Sequence, residues 1–550
     1  MNSGWQSSNG IEIRDLVSAE ARRLWVERGH CPNRDLYSLF VEHTRSHPDR
    51  EAVIDTAGPV DYASLDEEVR RIAARLADAG LGERDIIAIR LPNDRKAVAA
   101  ELAVAAVGAV ALPYPPGRGS RDTLSLLGRS RARGAIFAAP SDIALQADLP
   151  DLSAVFTFGA RQAGALTLDE PGPGHWVARP VAPEAPARIL VSSGSESEPK
   201  MIAYSHNAMA GGRANYVRAL HRNGGETPMR NLALVPLGSS FGSLATSVTV
   251  AALGGTLLVA DTTDPRVALR MISEHRPTHV FGVPTMLRRI ADQQPIPGED
   301  LSCLRAVVSS GAALPEVTAE ACRRRFDRPV ITVYGSSDGV NCHTAATGLA
   351  KETGTGLPDP AVADIRILGT DGEPVPAGEA GEICARGPMS PQCYVGSPEL
   401  DARYRTATGW VRTGDRGLLD GHGRLHVLGR LKQVVVRGGY NISPAEVEQE
   451  LGAHPRVAEV ACVAVPDADL GERLCACVRE VPGSRALTLV DITTFLEQER
   501  GLERRKLPEL LVCVAEMPLG PTGKICRRTL TKLATERYPN PTELLEVSRT

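Results

Sequence analysis

Residues 192–200 read "SSGSESEPK", four serines and one glycine around two glutamates, closed by Lys200. Serine hydroxyls and free backbone N–H groups can surround phosphate oxygens, and a lysine beside them adds positive charge. The stretch follows the apolar run "ARILV" and precedes "MIAYSHNAMAGGRANYV", whose spacing is helical, so a strand, a small-residue loop and a helix are expected. It is neither a Walker A loop nor a Rossmann fingerprint, and by itself it also reads as a solvated surface loop. A carboxylate beside a triphosphate is unfavourable unless it turns away or meets a cation, so Glu196 is the residue to explain.

The elements that must position this loop are written in the surrounding pattern. Apolar runs such as "DIIAIRL", "GAIFA", "NLALVPL", "THVFGVP" and "LRAVVSS" alternate with helical patterns such as "SLDEEVRRIAARLADAG" and "RVALRMISEH", which is α/β organisation with buried parallel strands. The chain has 550 residues, 43% of them hydrophobic and 23% charged, more than one compact core usually serves. After "GRLHVLGRLKQVVVRGGYN" a smaller unit begins: helix "SPAEVEQELGAHP", strands "VAEVACVAVPD" and "RLCACVRE", helix "LVDITTFLEQERG". Two domains are therefore expected, residues 1–431 and 432–550, a large one of parallel and mixed β-sheets flanked by helices and a small α+β one.

Composition narrows the function classes. A net charge of −4 gives no basic field for a nucleic-acid partner. The longest apolar runs are too short for a bilayer, and the polar start lacks a signal-peptide pattern. Eleven scattered cysteines without a CxxC pair suit a reduced cytosol. Cys475 and Cys477 alternate onto one face of a strand; packing accounts for them more simply than metal or redox chemistry.

Four further motifs stand in order behind the serine loop: "VYGSSDG" at 333–339, "GWVRTGDRG" at 409–417, "GRLKQVVVRGGYNISPAEVE" from Gly429, and "GPTGK" at 520–524. Together they resemble the adenylate-forming superfamily of acyl-CoA synthetases, peptide-synthetase adenylation domains and luciferases, from about Leu36 to Cys526. The resemblance implies a large N-terminal domain with a small mobile C-terminal one, and conversion of a carboxylate and ATP into acyl-AMP and pyrophosphate. Such a reaction needs fixed cations where charge grows on the phosphate. By resemblance, Lys524 bridges the carboxylate and α-phosphate, Asp338 holds magnesium in place of a glutamate, and Asp415 holds the ribose hydroxyls. Arg430 meets ribose or phosphate, Tyr334 stacks on adenine ahead of Gly335, Ser336 and Ser337, and Gly311, Ala312 and Ala313 line the base. Ser192, Ser193, Gly194, Ser195 and Lys200 keep the phosphate loop, whereas Glu196 and Ser197 replace a threonine and a glycine of the family pattern. Loss of that glycine restricts the backbone.

"VPLGSSFGS" at 235–243 aligns with the segment that determines the acid. The aspartate that would pair with an amino group is missing, and a buried ammonium without a carboxylate is costly. Ser239, Ser240, Phe241, Ser309, Asn341 and Cys342 are expected to form a small polar pocket. "DGVNCHT" and "YSHN" are similar to stand-alone enzymes that activate aryl acids or β-amino acids for carrier proteins. A compact aryl, cyclic or related acid is the expected substrate.

For the second half-reaction Lys432 is the expected hinge, with Gly438 and Gly439 meeting the pantetheine arm. No phosphopantetheine attachment motif follows Lys524, so the acceptor is expected in trans, a discrete carrier protein or free coenzyme A. A non-catalytic nucleotide-binding relative is the rival from another class.

Overall fold

The computed structural model describes residues 4–138, 140–170, 176–192, 199–221, 229–262, 264–343, 354–431, 434–438 and 440–539. Its framework is a seven-stranded sheet, an eight-stranded sheet, a four-stranded antiparallel sheet and, after residue 431, a five-stranded sheet. The apolar runs of the sequence become strands buried along their length: Ile86–Arg90, Gly134–Phe137 and Ala154–Thr157 pair in parallel within the first sheet. In the second, Arg230–Ala233, His279–Gly282, Ala306–Ser310 and Val330–Gly335 do the same. Both-face burial explains why these strands carry no polar alternation.

Helices cover the sheets as their spacing demands. Tyr62–Asp78 is capped by the Asp61 side chain, which accepts the Ser64 N–H at 2.7 Å, and it buries Leu65, Val69, Ile72, Ala73 and Leu76 on one stripe. The alanine-rich helix Arg95–Ala106 is buried from Ala97 to Ala106 and touches strands of both large sheets. The single charge of that buried stretch, Glu101, pairs with Arg188, which is 1% exposed; Arg188 also donates to the Leu237 carbonyl at 2.7 Å.

One expectation fails at the serine loop. The segment after it is the strand Met201–Ser205, antiparallel to Pro186–Val191, and helix begins only at His206. The serine stretch therefore links two antiparallel strands, and the segment directly after it is strand rather than helix. Met201 to Tyr204 are all buried, and a short, wholly apolar run has no period that separates strand from helix.

The late unit matches its pattern: helix Pro444–Leu451, strands Val457–Asp467 and Gly471–Glu480, helix Leu489–Thr494. Cys475 and Cys477 are packed in one apolar cluster with Leu510 and Val512, as the alternation requires. All eleven cysteines are free thiols. Among the described residues no helix is long and apolar enough to cross a membrane.

Candidate active site

The ends of the second sheet and the third sheet meet around Asp415. Antiparallel pairing sets Asp415 opposite Arg430, and Arg430 Nε lies 3.0 Å from Asp415 Oδ1. The Tyr334 hydroxyl donates to Asp415 Oδ2 at 2.7 Å, and the Asp415 N–H donates to Thr413 Oγ1. Burial pushes the Asp415 carboxyl above its ordinary value, with Arg430 and Tyr334 opposing that effect. Each carboxylate oxygen keeps a further acceptor site, which is what two neighbouring hydroxyls would need.

Lys524 reaches the same place from the C-terminal unit. The turn is tight: the Gly520 N–H donates to the Lys524 carbonyl at 2.7 Å, and the Gly523 N–H to the Gly520 carbonyl at 2.9 Å. Thr285 Oγ1 donates to the Gly523 carbonyl at 3.0 Å. Gly311, at φ +90°, passes so close that a Cβ there would sit 2.9 Å from Lys524 Cε. Glycine is required on both counts. Ala312 and Ala313 beside it are exposed. Burial, then Arg430, lowers the half-buried Lys524 ammonium to about 8, against the pull of Asp415.

Asp338 sits on a turn held from two sides. The Tyr394 hydroxyl donates to Asp338 Oδ1 at 2.6 Å, the Asp338 N–H donates to Ser336 Oγ at 3.1 Å, and the Tyr204 hydroxyl donates to the Ser337 carbonyl at 2.7 Å. Gly335 ends the strand that leads into this turn. The other Asp338 oxygen makes no hydrogen bond among the described residues. One carboxylate oxygen left open suits Mg2+, which keeps waters and phosphate oxygens as its remaining ligands; no cluster of three or more acidic, His or Cys residues exists among the described residues.

Ser192 and Lys200 close the neck of the hairpin. The Ser192 N–H donates to the Lys200 carbonyl at 2.9 Å, and the Lys200 N–H to Ser192 Oγ at 3.0 Å. Lys200 Nζ lies 3.7 Å from the Tyr404 ring centroid and 5.7 Å from that of Tyr394, on the same side as Asp338. Ser193, Gly194, Ser195, Glu196 and Ser197 lie outside the described residues, as do Lys432 and Gly439. Gly438, at φ +55°, follows the strand Val435–Arg437, which is paired on both sides within the five-stranded sheet.

The residues expected to form the acid pocket lie on a turn and on two faces of the second sheet. Ser239 Oγ accepts the Gly242 N–H at 2.9 Å, and the Ser240 backbone carbonyl accepts from Ser243 Oγ at 2.7 Å. Phe241 stands edge-on to Phe281. Ser309 pairs in register with Thr332, Cys342 with Tyr334 and Asn341 with Gly335. Side chains alternate along a strand, so Ser309 and Cys342 occupy one face of the sheet and Asn341 the other. Cys342 packs among Ala363, Ile365 and Ile383 with its sulfur 3.3 Å from the Thr355 and Gly356 carbonyls, and burial pushes its thiol up to about 12. It lines no polar cavity. Asn341 shares its face with Ile331 and Val333, which pack on Ala214, Tyr216 and Val217.

Several side chains of this centre carried no motif: Tyr394 and Tyr404 under Lys200, Thr285 under the lysine turn, and Arg118, which donates to the Ser192 carbonyl at 2.8 Å. The Pro-Gly cluster at 115–119 was a signal for a constrained loop; Gly117 there touches Pro521. The isolated tyrosines offered none.

With this geometry in hand, the comparisons agree. Residues 40–395 match the AMP-binding enzyme family and residues 446–524 the AMP-binding enzyme C-terminal domain. The chain belongs to the AMP-binding enzyme family, the adenylate-forming ligases. It is 30% identical to a salicylyl-CoA synthase / salicylate adenylyltransferase of Streptomyces sp, covering 93% of this chain and 96% of the relative. It is 28% identical to the salicyl-AMP ligase / salicyl-S-ArCP synthetase of Mycobacterium tuberculosis, covering 92% and 91%. The amide bond synthetase McbA from Marinactinospora thermotolerans superposes with a TM-score of 0.78 at 28% identity, over 90% of this chain and 99% of that one. ATP-dependent adenylation of a carboxylate is thereby established as the chemistry.

Proposed function

We propose that the chain adenylates a compact aryl, cyclic or related acid and passes the acyl group to the phosphopantetheine thiol of a separate carrier protein. The observation that carries the adenylation step is Lys524 held against Gly311 beside the Asp415–Arg430 pair. The acid's carboxylate oxygen attacks the α-phosphorus, the bond to pyrophosphate breaks, and Lys524 meets the charge growing between them. Asp415 and Tyr334 orient the ribose side, Arg430 adds positive charge, and Lys200 with Ser192, Ser193, Gly194 and Ser195 takes the distal phosphates. Asp338 would hold Mg2+, which when bound would supply charge neutralisation on those phosphates. In the second step the thiol sulfur attacks the acyl carbonyl, loses its proton, and AMP leaves.

Residues 432–550 would turn about Lys432 between the two steps, so that Gly438 and Gly439 replace Lys524 at the acyl carbonyl. Free coenzyme A is the second reading, supported by the two salicylate relatives whose printed names differ in acceptor. A cytosolic setting accords with the free thiols. The test is hydroxamate-trapped turnover over aryl, cyclic, β-amino and fatty acids, followed by thioester yield with carrier protein or coenzyme A. Turnover only with long alkyl acids, or thioester only on coenzyme A, would reject the corresponding half of the proposal.

A further inference from the structure

Among the described residues five arginines are almost wholly buried: Arg22, Arg118, Arg188, Arg213 and Arg473. Four of them have a carboxylate within 4 Å, namely Asp15, Asp122, Glu101 and Asp467 in turn. Arg213, 4% exposed, has none among the described residues. Its contacts are neutral: Ser243 Oγ at 2.9 Å, the Ser240 carbonyl at 3.4 Å, the Tyr204 hydroxyl at 3.3 Å, and the Tyr204 ring, with Cζ 4.6 Å from its centroid. Its Nε is buried with no acceptor. A buried cation without a counter-charge is expensive and is kept where function supplies the charge.

Its position says where that charge would enter. Arg213 lies between the Ser240–Ser243 turn, which aligns with the acid-determining segment, and the Ser337–Asp338 turn, reached through Tyr204. It ends the helical turn Met209–Arg213, directly before Ala214–His221, whose Ala214 and Val217 pack on the sheet face that Asn341 shares. Asn341 Oδ1 is likewise buried without a partner. Two unsatisfied polar groups therefore belong to one side of the sheet. Asp338, on the neighbouring turn, is engaged by Tyr394 instead.

We propose that Arg213 determines substrate choice, and that the acid it selects carries a second anionic group, a carboxylate or a sulfonate, which pairs with the Arg213 guanidinium. This rests on the adenylation reading above and names the substrate class for it. A planar guanidinium whose buried Nε has no acceptor suits a two-oxygen anion.

The test pairs benzoate with isophthalate, terephthalate and 3-sulfobenzoate on the full chain, reading both pyrophosphate release and calorimetric binding. At least tenfold higher kcat/KM for one of the dianions is expected. Arg213→Gln should lower that value at least tenfold more than it lowers the value for benzoate, and Arg213→Lys should restore part of the difference. Success with either the dicarboxylates or the sulfonate supports the pairing and tells which anion fits. Absence of any preference for a dianion, or an equal loss on benzoate and dianion in Arg213→Gln, overturns it: the arginine would then serve the reacting carboxylate or the fold. Should Arg213→Gln not fold, the acid ranking of the unaltered chain and Arg213→Lys still decide. A dianion bound preferentially without pyrophosphate release would remove the adenylation reading and leave the pairing standing.

Discussion

Lys524 is useful only while charged, and its surroundings press it toward neutrality. Burial and Arg430 bring it to about 8, below its ordinary value, so the active protonated form is depleted as pH rises through that point. The kcat/KM for adenylation should therefore fall above about pH 8, and Lys524→Arg, whose guanidinium stays charged, should abolish the fall while keeping part of the rate. Lys524→Ala should cost adenylation about 100- to 1,000-fold, the scale of a lost charge-stabilising donor. Transfer from supplied acyl-AMP should persist, because the lysine acts in the first transition state. Loss of both steps together would assign Lys524 to the fold instead. Gly311→Ala should resemble a mild version of the same lesion, since a left-handed φ and a methyl 2.9 Å from Lys524 Cε would displace the lysine without removing it.

At the scale of elements, the buried Arg188–Glu101 pair ties the strand Pro186–Val191, which leads into the phosphate hairpin, to the helix Arg95–Ala106 and to the Leu237 carbonyl. Glu101→Leu would strand a buried guanidinium and should destabilise the large unit by about 3–5 kcal/mol, seen as a lowered Tm. Arg188→Met together with Glu101→Leu should recover most of it; a double variant as unstable as the single one would mean that packing, not charge, holds this junction. The strand Pro186–Val191 runs into the connection leading to Met201–Ser205. Its neck is closed by Ser192 and Lys200, and the lysine ammonium rests on Tyr404 rather than on a helix terminus. Lys200→Ala should weaken pyrophosphate exchange about tenfold to hundredfold through one lost charge-assisted contact, whereas Glu196→Thr should leave ATP use intact or improved. Unchanged KM for ATP in both variants would reduce the stretch to a linker.

For the whole molecule, the contact of Thr285 with Gly523 and of Gly117 with Pro521 marks the arrangement in which the C-terminal unit delivers its lysine. Under the proposed mechanism that arrangement cannot also deliver Gly438 to the same carbonyl, so the two half-reactions would compete for one site. Fixing φ at the expected hinge by Lys432→Pro should depress thioester yield more than pyrophosphate exchange. A parallel fall in both, or in neither, would place the pivot elsewhere.

What the sequence determined by itself is the material that local chemistry dictates. Apolar runs such as "THVFGVP" became buried parallel strands, the capped stripe of Tyr62–Asp78 became a core helix, and ordered motifs named Lys524, Asp338 and Asp415 because turns with invariant backbone needs leave short signatures. The tertiary structure alone decided which residues face one another. It separated Asn341 from Cys342 by a single step along a strand, although they are adjacent in sequence, because successive side chains leave opposite faces. It turned the segment after the serine loop into a hairpin, since wholly buried residues carry no period to read. It brought Tyr394 to Asp338 across 56 residues and Gly311 to Lys524 across 213. Among the described residues it also left Arg213 without a carboxylate within 4 Å, while four other buried arginines have one. Such pairings depend on where a chain returns after long excursions, and no local spacing records that.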